Sequence, residues 1–345
     1  MIAKSATILL TFCCLAGLFT ISSCTTDDEE TTYGNWTKIT PFKGSPRAGA
    51  ISFTIDTKAF VGLGYDGDEY LSDFYVYDVE LGFWSSLKNF PGTLRERAVT
   101  FSINGKGYIG LGYNRDLDKV ELRDFWEYNP ETDEWSRIAD FGGTARYNAV
   151  GFAIGSLGYV GTGYDGKNYN SDFWQFDPQE NSWTEIISFP GEKIESGFAF
   201  VIGGNAYIGA GRNNGSYSTN FWEFTPGIDG AVATWTKRTP SSDKSYYDDF
   251  KGAMYRYNAV AVTSGMKAFI VGGVASSGAV SREVYEFDAA TFAWTDRTAF
   301  EGSSRSLAVG FGLSNRIFVG TGLNGSSRYD DVWEFKPEEE YDEDN

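Results

Sequence analysis

The chain contains no histidine. That absence removes imidazole general-base catalysis, Ser-His-Asp and Cys-His nucleophile pairs, and His-ligated zinc, copper or iron. Its three cysteines, Cys13, Cys14 and Cys24, all fall in the first 24 positions. The rest of the chain can therefore form neither an internal disulfide nor a thiolate metal site, and no metal or cofactor is expected. Proline is scarce, at 9 of 345 residues, and basic residues are outnumbered, with 29 Lys and Arg against 47 Asp and Glu. With no basic patch, nucleic acid is not an expected partner. Glycine, at 41 residues, and aromatic side chains, at 17%, are abundant. Such a chain is too aromatic for disorder and too rich in glycine for a helical bundle, which points to a β architecture. Any chemistry it carries rests on carboxylates, arginine and tyrosine.

One long apolar run exists, from Ala6 to Phe19 behind Lys4, and it is too short for an ordinary membrane span. It ends in Ile21-Ser22-Ser23-Cys24, which resembles the bacterial lipobox. That resemblance implies a lipoprotein signal peptide over residues 1–23 and lipidation of Cys24, the first residue of the mature chain. Residues 24–34 then read as an acidic tether containing Asp27, Asp28, Glu29 and Glu30. No Asp follows Cys24, so the inner-membrane retention pattern is absent. The expected location is the outer membrane of a Gram-negative bacterium, reached through the lipid anchor only. Periplasmic and cell-surface orientations both stay open, although the acidic cluster resembles a surface-export tag. Residues 338–345 read as an acidic, disordered tail. Between tether and tail remain 37 acids against 28 bases, a moderately acidic surface expected of a soluble monomer.

The body, residues 35–337, is repetitive. Tryptophan recurs at Trp36, Trp84, Trp135, Trp183, Trp235 and Trp294, at spacings of 48, 51, 48, 52 and 59. Glycine-ended strands recur between them, as in Val61-Gly-Leu-Gly64, Ile109-Gly-Leu-Gly112 and Val319-Gly-Thr-Gly322. A third series opens on an acid or amide and continues with aromatics, as in Asp124-Phe-Trp-Glu-Tyr128 and Asp172-Phe-Trp-Gln-Phe176. Period-two alternation makes these strands, and Gly, Asp, Asn and Pro clusters make the turns. Each unit of about 50 residues holds four short strands, the size of one propeller blade. The chain opens on a Trp strand and closes on the aromatic strand of Trp333, with no Trp strand after it. The expectation is an all-β, six-bladed β-propeller of four-stranded blades, closed by the N-terminal strand at Trp36 completing the last blade.

An Arg before the inner strand, a glycine pair, a Tyr/Trp strand and a Trp after the next turn resemble the kelch repeat, over about 300 residues and all six blades. The glycine pair departs from that pattern, since five units read Gly-x-Gly. The kelch resemblance implies a ligand-binding scaffold, a copper oxidase or a sugar mutarotase. The copper oxidase is excluded, because its site needs His ligands. The resemblance to the sialate mutarotase branch implies a mutarotase or epimerase, for which the mouth carboxylates Glu96, Glu195, Asp248 and Asp249 are candidates. No catalytic residue of that branch maps onto this sequence, so catalytic residues are unassigned.

Most repeated residues read as structure. The tryptophans are expected to fill the space between blades. Arg47, Arg95, Arg146, Arg256 and Arg305 match Asp73, Asp124, Asp172, Glu283 and Asp331, whereas blade four has Ile194 and Asn220. An ion pair within each blade accounts for this; an Arg-lined anion pocket is the competing reading. Two positions beyond the Arg series lie Gly49, Arg97, Asn148, Ser196, Asn258 and Leu307, which do not repeat. Strand alternation would put them on the same side as the arginines, where a specific site would break the symmetry. Blade five carries ten extra residues within Ser241–Met254, expected to lie over the channel mouth. The expected function is a non-catalytic, lipid-anchored module binding a glycan or protein ligand on the loop face. Its candidate contacts are Arg97, Asn148 and Asn258 near the axis, with Tyr65, Tyr113, Tyr164, Arg212, Tyr246 and Tyr247 around the rim. Asp66-Gly67 and Asp165-Gly166 read as tight turns rather than calcium ligands.

Overall fold

The first strand of each unit alternates as its sequence demands. In Ile51–Ile55 the residues Ile51, Phe53 and Ile55 are buried, while Ser52 and Thr54 face the central channel. The second strand, Lys58–Gly62, is buried beyond its first residue because it lies inside the blade. Phe74–Asp78 and Phe83–Ser86 complete blade one as an antiparallel meander. Blades two to five repeat the arrangement from Val99–Ile103, Val150–Ile154, Phe198–Ile202 and Val260–Ser264. The structure, a computed structural model, describes residues 33–227, 231–242, 250 and 252–342. The signal peptide, Cys24 and most of the tether lie outside the described residues, as do Tyr246, Tyr247, Asp248 and Asp249.

Blade six takes Val309–Leu313, Arg316–Gly320 and Val332–Glu340 from the end of the chain and Tyr33–Lys38 from its beginning, so that Glu338–Glu340, expected in the disordered tail, instead extend a strand whose end pairs with Tyr33. Trp36 pairs in register with Phe335, and Lys38 with Trp333. The Trp36 ring stacks on Phe335 at 4.5 Å and meets the edge of Phe300 at 4.7 Å, fully buried. The protein is thus an all-β, six-bladed propeller of four-stranded blades, closed across the two ends of the chain. The core sits between blades: Phe53, Phe60 and Phe74 of blade one pack with Ile109 and Tyr128 of blade two.

The arginine series is buried inside the blades, which settles it as structure and removes the anion-pocket reading. Arg95 reaches Asp124 through two hydrogen bonds of 2.8 and 2.7 Å, and Arg146 reaches Asp172 at 2.6 and 2.9 Å. Arg305 does the same to Asp331 at 2.8 and 3.0 Å; Arg47 holds Asp73 with both guanidinium nitrogens, and Arg256 holds Glu283 through one at 2.8 Å. The third-strand aromatic completes the staple. Trp126, Trp174 and Trp333 donate their indole N–H to the same carboxylates at 2.7–2.8 Å, as does the Tyr75 hydroxyl to Asp73 at 3.1 Å. In blade four, with Ile194 and Asn220, the Trp222 indole N–H has no hydrogen-bond partner among the described residues.

Each arginine also binds the turn at the end of the second strand. It donates to the carbonyl of Leu63, Leu111, Thr162, Gly272 or Thr321, the residue between or before the glycines. All five have a left-handed backbone, with φ from 57° to 66°. That conformation costs a non-glycine residue on the order of 1 kcal/mol, and the buried guanidinium fixes the carbonyl that depends on it.

A second set of ion pairs had no expectation behind it. Glu127, Glu223, Glu286 and Glu334 occupy the position between the aromatics of the third strand. They meet Lys106 at 2.6 Å, Arg238 at 2.7 Å, Arg297 at 2.8 Å and Arg316 at 2.6 Å. These pairs tie third strands to their neighbours at the end of the blade away from the Arg series.

Candidate functional site

The six non-repeating residues form a collar around the axis. Gly49, Arg97, Asn148, Ser196, Asn258 and Leu307 all have φ between 52° and 61°. They are therefore not extended, and the alternation argument that placed them beside the arginines fails. The left-handed turn sends the arginine into the blade and leaves the residue two positions on at the axis. Each collar residue donates its N–H to the carbonyl of the collar residue one blade back. The distances are 2.9 Å for Arg97 to Gly49, 3.2 Å for Asn148 to Arg97 and 2.8 Å for Ser196 to Asn148. Asn258 to Ser196 follows at 3.1 Å, Leu307 to Asn258 at 3.2 Å, and Gly49 closes the circle on Leu307 at 2.9 Å. Six peptide groups thus satisfy one another where no strand can.

The collar bounds a cavity of about 150 Å³. Below it lies a space of about 260 Å³ lined by small residues of the first strands, among them Ser52, Thr100 and Gly151. Outside the collar runs a second ring, made by the residues between the arginine and collar positions. Glu96, Tyr147 and Glu195 bridge to Tyr113, Tyr164 and Arg212, and Ala48 bridges to Tyr65. The structure therefore brings Arg97, Asn148 and Asn258 together on the axial cavity, with Tyr65, Tyr113, Tyr164 and Arg212 on the surrounding rim. Tyr113, Tyr147 and Tyr164 form a continuous aromatic wall, with ring centroids 4.9 and 5.8 Å apart. Arg115 and Arg328 lie over the Tyr65 ring at 4.6 and 5.2 Å, and Arg212 lies over Tyr257 at 4.3 Å.

The two rim glutamates differ in what surrounds them. Glu195 accepts hydrogen bonds from Asn148 Nδ2 and Arg212 Nε, both at 2.9 Å. Glu96 is as deeply set, yet its nearest cation, Arg97 Nε, stands 3.6 Å away. Burial pushes the Glu96 carboxyl above the ordinary range, against the charges of Arg97, Arg115 and Arg328. Burial, with Glu195 beside it, likewise raises the Tyr147 phenol to about 12, so it is a neutral donor at physiological pH.

The long insertion does not behave as expected where it is described. Phe250 belongs to the segment expected over the mouth; instead its ring packs against Tyr285 at 5.4 Å and Trp294 at 6.3 Å. Ala253 and Met254 are buried in the same core between blades four and five. Ser241–Ser242 adds a short parallel strand outside Ala293–Trp294. Apolar side chains on the inserted segment make this outcome physical, because they bury more area against Trp294 than over an open mouth. Tyr147, Tyr257, Arg115 and Arg328 were missed. The first two were legible as the residue between two singled-out series; the arginines sit in loops with no repeat spacing.

Asp66 and Asp165 cap their own turns, each carboxylate accepting two backbone N–H groups at 2.6–3.0 Å. Among the described residues no group of three or more Cys, Asp or Glu side chains is placed to hold a metal ion. Fold and mouth together define a six-bladed β-propeller with one polar, aromatic-walled opening on its axis. The solved structure of YjhT has the same architecture, with a TM-score of 0.71 at 16% identity over 85% of this chain and 95% of that one. At that identity the likeness establishes the fold. No family model matches the chain, and no curated protein matches it.

Proposed function

We propose that this protein is a kelch-type binding module, held at the outer membrane by a lipid on Cys24, whose mouth takes a glycan. The observation that carries the reading is the collar. Arg97, Asn148 and Ser196 set hydrogen-bonding groups around a cavity of about 150 Å³, inside a wall of tyrosines. Aromatic faces with directed polar groups match the alternating apolar and hydroxyl surfaces of a sugar. The repeated arginines, acids and tryptophans are engaged inside the blades, which leaves the non-repeating mouth as the place for a ligand. A peptide ligand is the competing outcome. Binding of the mature chain to a glycan array, lost on Arg97→Ala replacement with the melting temperature little changed, tests the reading. Binding confined to peptides overturns it.

A second reading, a sugar mutarotase, draws support from Glu96, a buried mouth carboxyl whose proton is held more tightly than usual. Accelerated anomer exchange of a bound sugar, followed by NMR, separates catalysis from binding alone.

A further inference from the structure

The two rim glutamates look equivalent by repeat position, but their surroundings assign them different work. Glu195 is held by Asn148 and Arg212 through hydrogen bonds of 2.9 Å each. Glu96 is about nine-tenths buried and its carboxylate makes no hydrogen bond among the described residues; its ion pair with Arg97 is 3.6 Å long. The Glu96 oxygens keep some access to solvent, so a donor that arrives with a ligand can reach them and supply the hydrogen bond that the fold does not. Two further atoms on the same collar, Arg97 Nε and Ser196 Oγ, are buried without a hydrogen bond among the described residues.

What lets Glu96 reach the collar is the residue opposite it. A Cβ built on Gly49 would lie 2.8 Å from Glu96 Oε2 and 2.9 Å from Glu96 Cβ. The other five collar positions carry side chains, so the gap exists at blade one alone. Glycine there makes the space, and the neighbouring blade's carboxylate fills it.

Resting on the glycan reading of the mouth, we propose that Gly49, Glu96 and Arg97 form a hydroxyl-reading subsite for a neutral saccharide. One ligand hydroxyl donates to the Glu96 carboxylate while its neighbour accepts from Arg97, a pattern that fits a vicinal diol. Glu195 is the positioning residue that holds Asn148 and Arg212. Tyr70 and Tyr113, with Arg115 and Arg328, complete the titratable and charged groups around Glu96.

The sign of one substitution tests this. The full chain, purified in detergent, is placed on an array of neutral, sulfated and uronate-bearing glycans. Wild type is expected to bind a neutral saccharide, and Glu96→Gln to weaken that binding on the order of tenfold, since a charged acceptor becomes a neutral one. Gly49→Ala, which crowds Glu96 out of its gap, is expected to weaken it comparably. A deoxy analogue lacking the hydroxyl that is read should bind wild type more weakly and bind Glu96→Gln no worse than the parent sugar does. Glu195→Gln is expected to lower the melting temperature, and Glu96→Gln to leave it within a degree or two. Binding that survives Glu96→Gln, or tightens because the ligand is anionic, overturns the subsite and leaves the glycan reading standing. A wild-type chain that binds no glycan overturns both.

Discussion

Blade four and the other five blades are one experiment with a built-in control. Five blades bury an arginine against a carboxylate and an aromatic strand; blade four has Ile194, Asn220 and an indole N–H with no hydrogen-bond partner among the described residues. All six fold into the same four-stranded meander, to which blade five adds the short outer strand Ser241–Ser242. The arginine is therefore not required to make a blade. Its specific work is on the turn: it binds the left-handed carbonyl before the glycine and the carboxylate that starts the third strand. Blade four meets that left-handed position with Ala210, at φ 60°, with no guanidinium behind it.

The largest effect should come from breaking one staple. Arg146→Ala leaves Asp172 and the Trp174 N–H around an emptied, buried space, and should cost about 3–5 kcal/mol by denaturant unfolding. Ile194→Ala in blade four removes packing alone and should cost about 2–4 kcal/mol. Equal losses with unchanged acid sensitivity in both variants would erase the distinction between the blades.

Acid should act on the stapled blades and spare the fourth. Burial pushes Asp124, Asp172 and Asp331 up, but the bonds and charges of Arg95, Arg146 and Arg305, with the indole donors, outweigh it and hold all three below the ordinary Asp range. Their stabilisation is complete above the unfolded-state value of 3.8 and is lost as pH falls through the lower folded values. Tryptophan fluorescence during acid unfolding should show a shallower decline in Asp124→Asn, whose wild-type contribution is already gone. A decline as steep as wild type would remove these carboxylates from the account. Glu96 runs the opposite way. Its raised folded value means the ionised form weakens the fold slightly, and that cost disappears as pH falls through it.

The smallest contrast is also the cleanest. Trp174→Phe forfeits a 2.8 Å bond to Asp172, whereas Trp222→Phe in blade four forfeits none. The difference in their unfolding free energies should be about 1 kcal/mol. Indistinguishable values would mean that the indole N–H contributes nothing to the staple.

The repeat carried most of the architecture because its signals are local and periodic. Tryptophan spacing set the blade count, the unmatched Trp36 strand set the closure, and the covariation of Arg with acid from blade to blade set the staple. Where the reading failed, the cause is geometric. Arg97 and its equivalents were assigned a side by strand alternation, which a left-handed backbone cancels. The inserted segment was placed over the mouth by length, while the burial of Phe250 against Trp294 depends on a partner 44 positions away. Glu127, Glu223, Glu286 and Glu334 sit where the repeat looked variable, and their bases come from other strands. The gap that Glu96 fills turns on one glycine, Gly49, that only the packed collar connects to it.

The belt of six peptide hydrogen bonds at the mouth separates scaffold from recognition. Because main-chain groups close it, its shape does not depend on which side chains it bears, and it already accommodates Gly, Arg, Asn, Ser and Leu. Proline is barred, having no N–H to donate, and β-branched residues are disfavoured by the left-handed backbone. Within those two restrictions the collar is a combinatorial surface. Six letters around one rigid aperture, each changed together with the rim residue it touches, would let this chain be re-addressed to a new ligand without rebuilding a single blade.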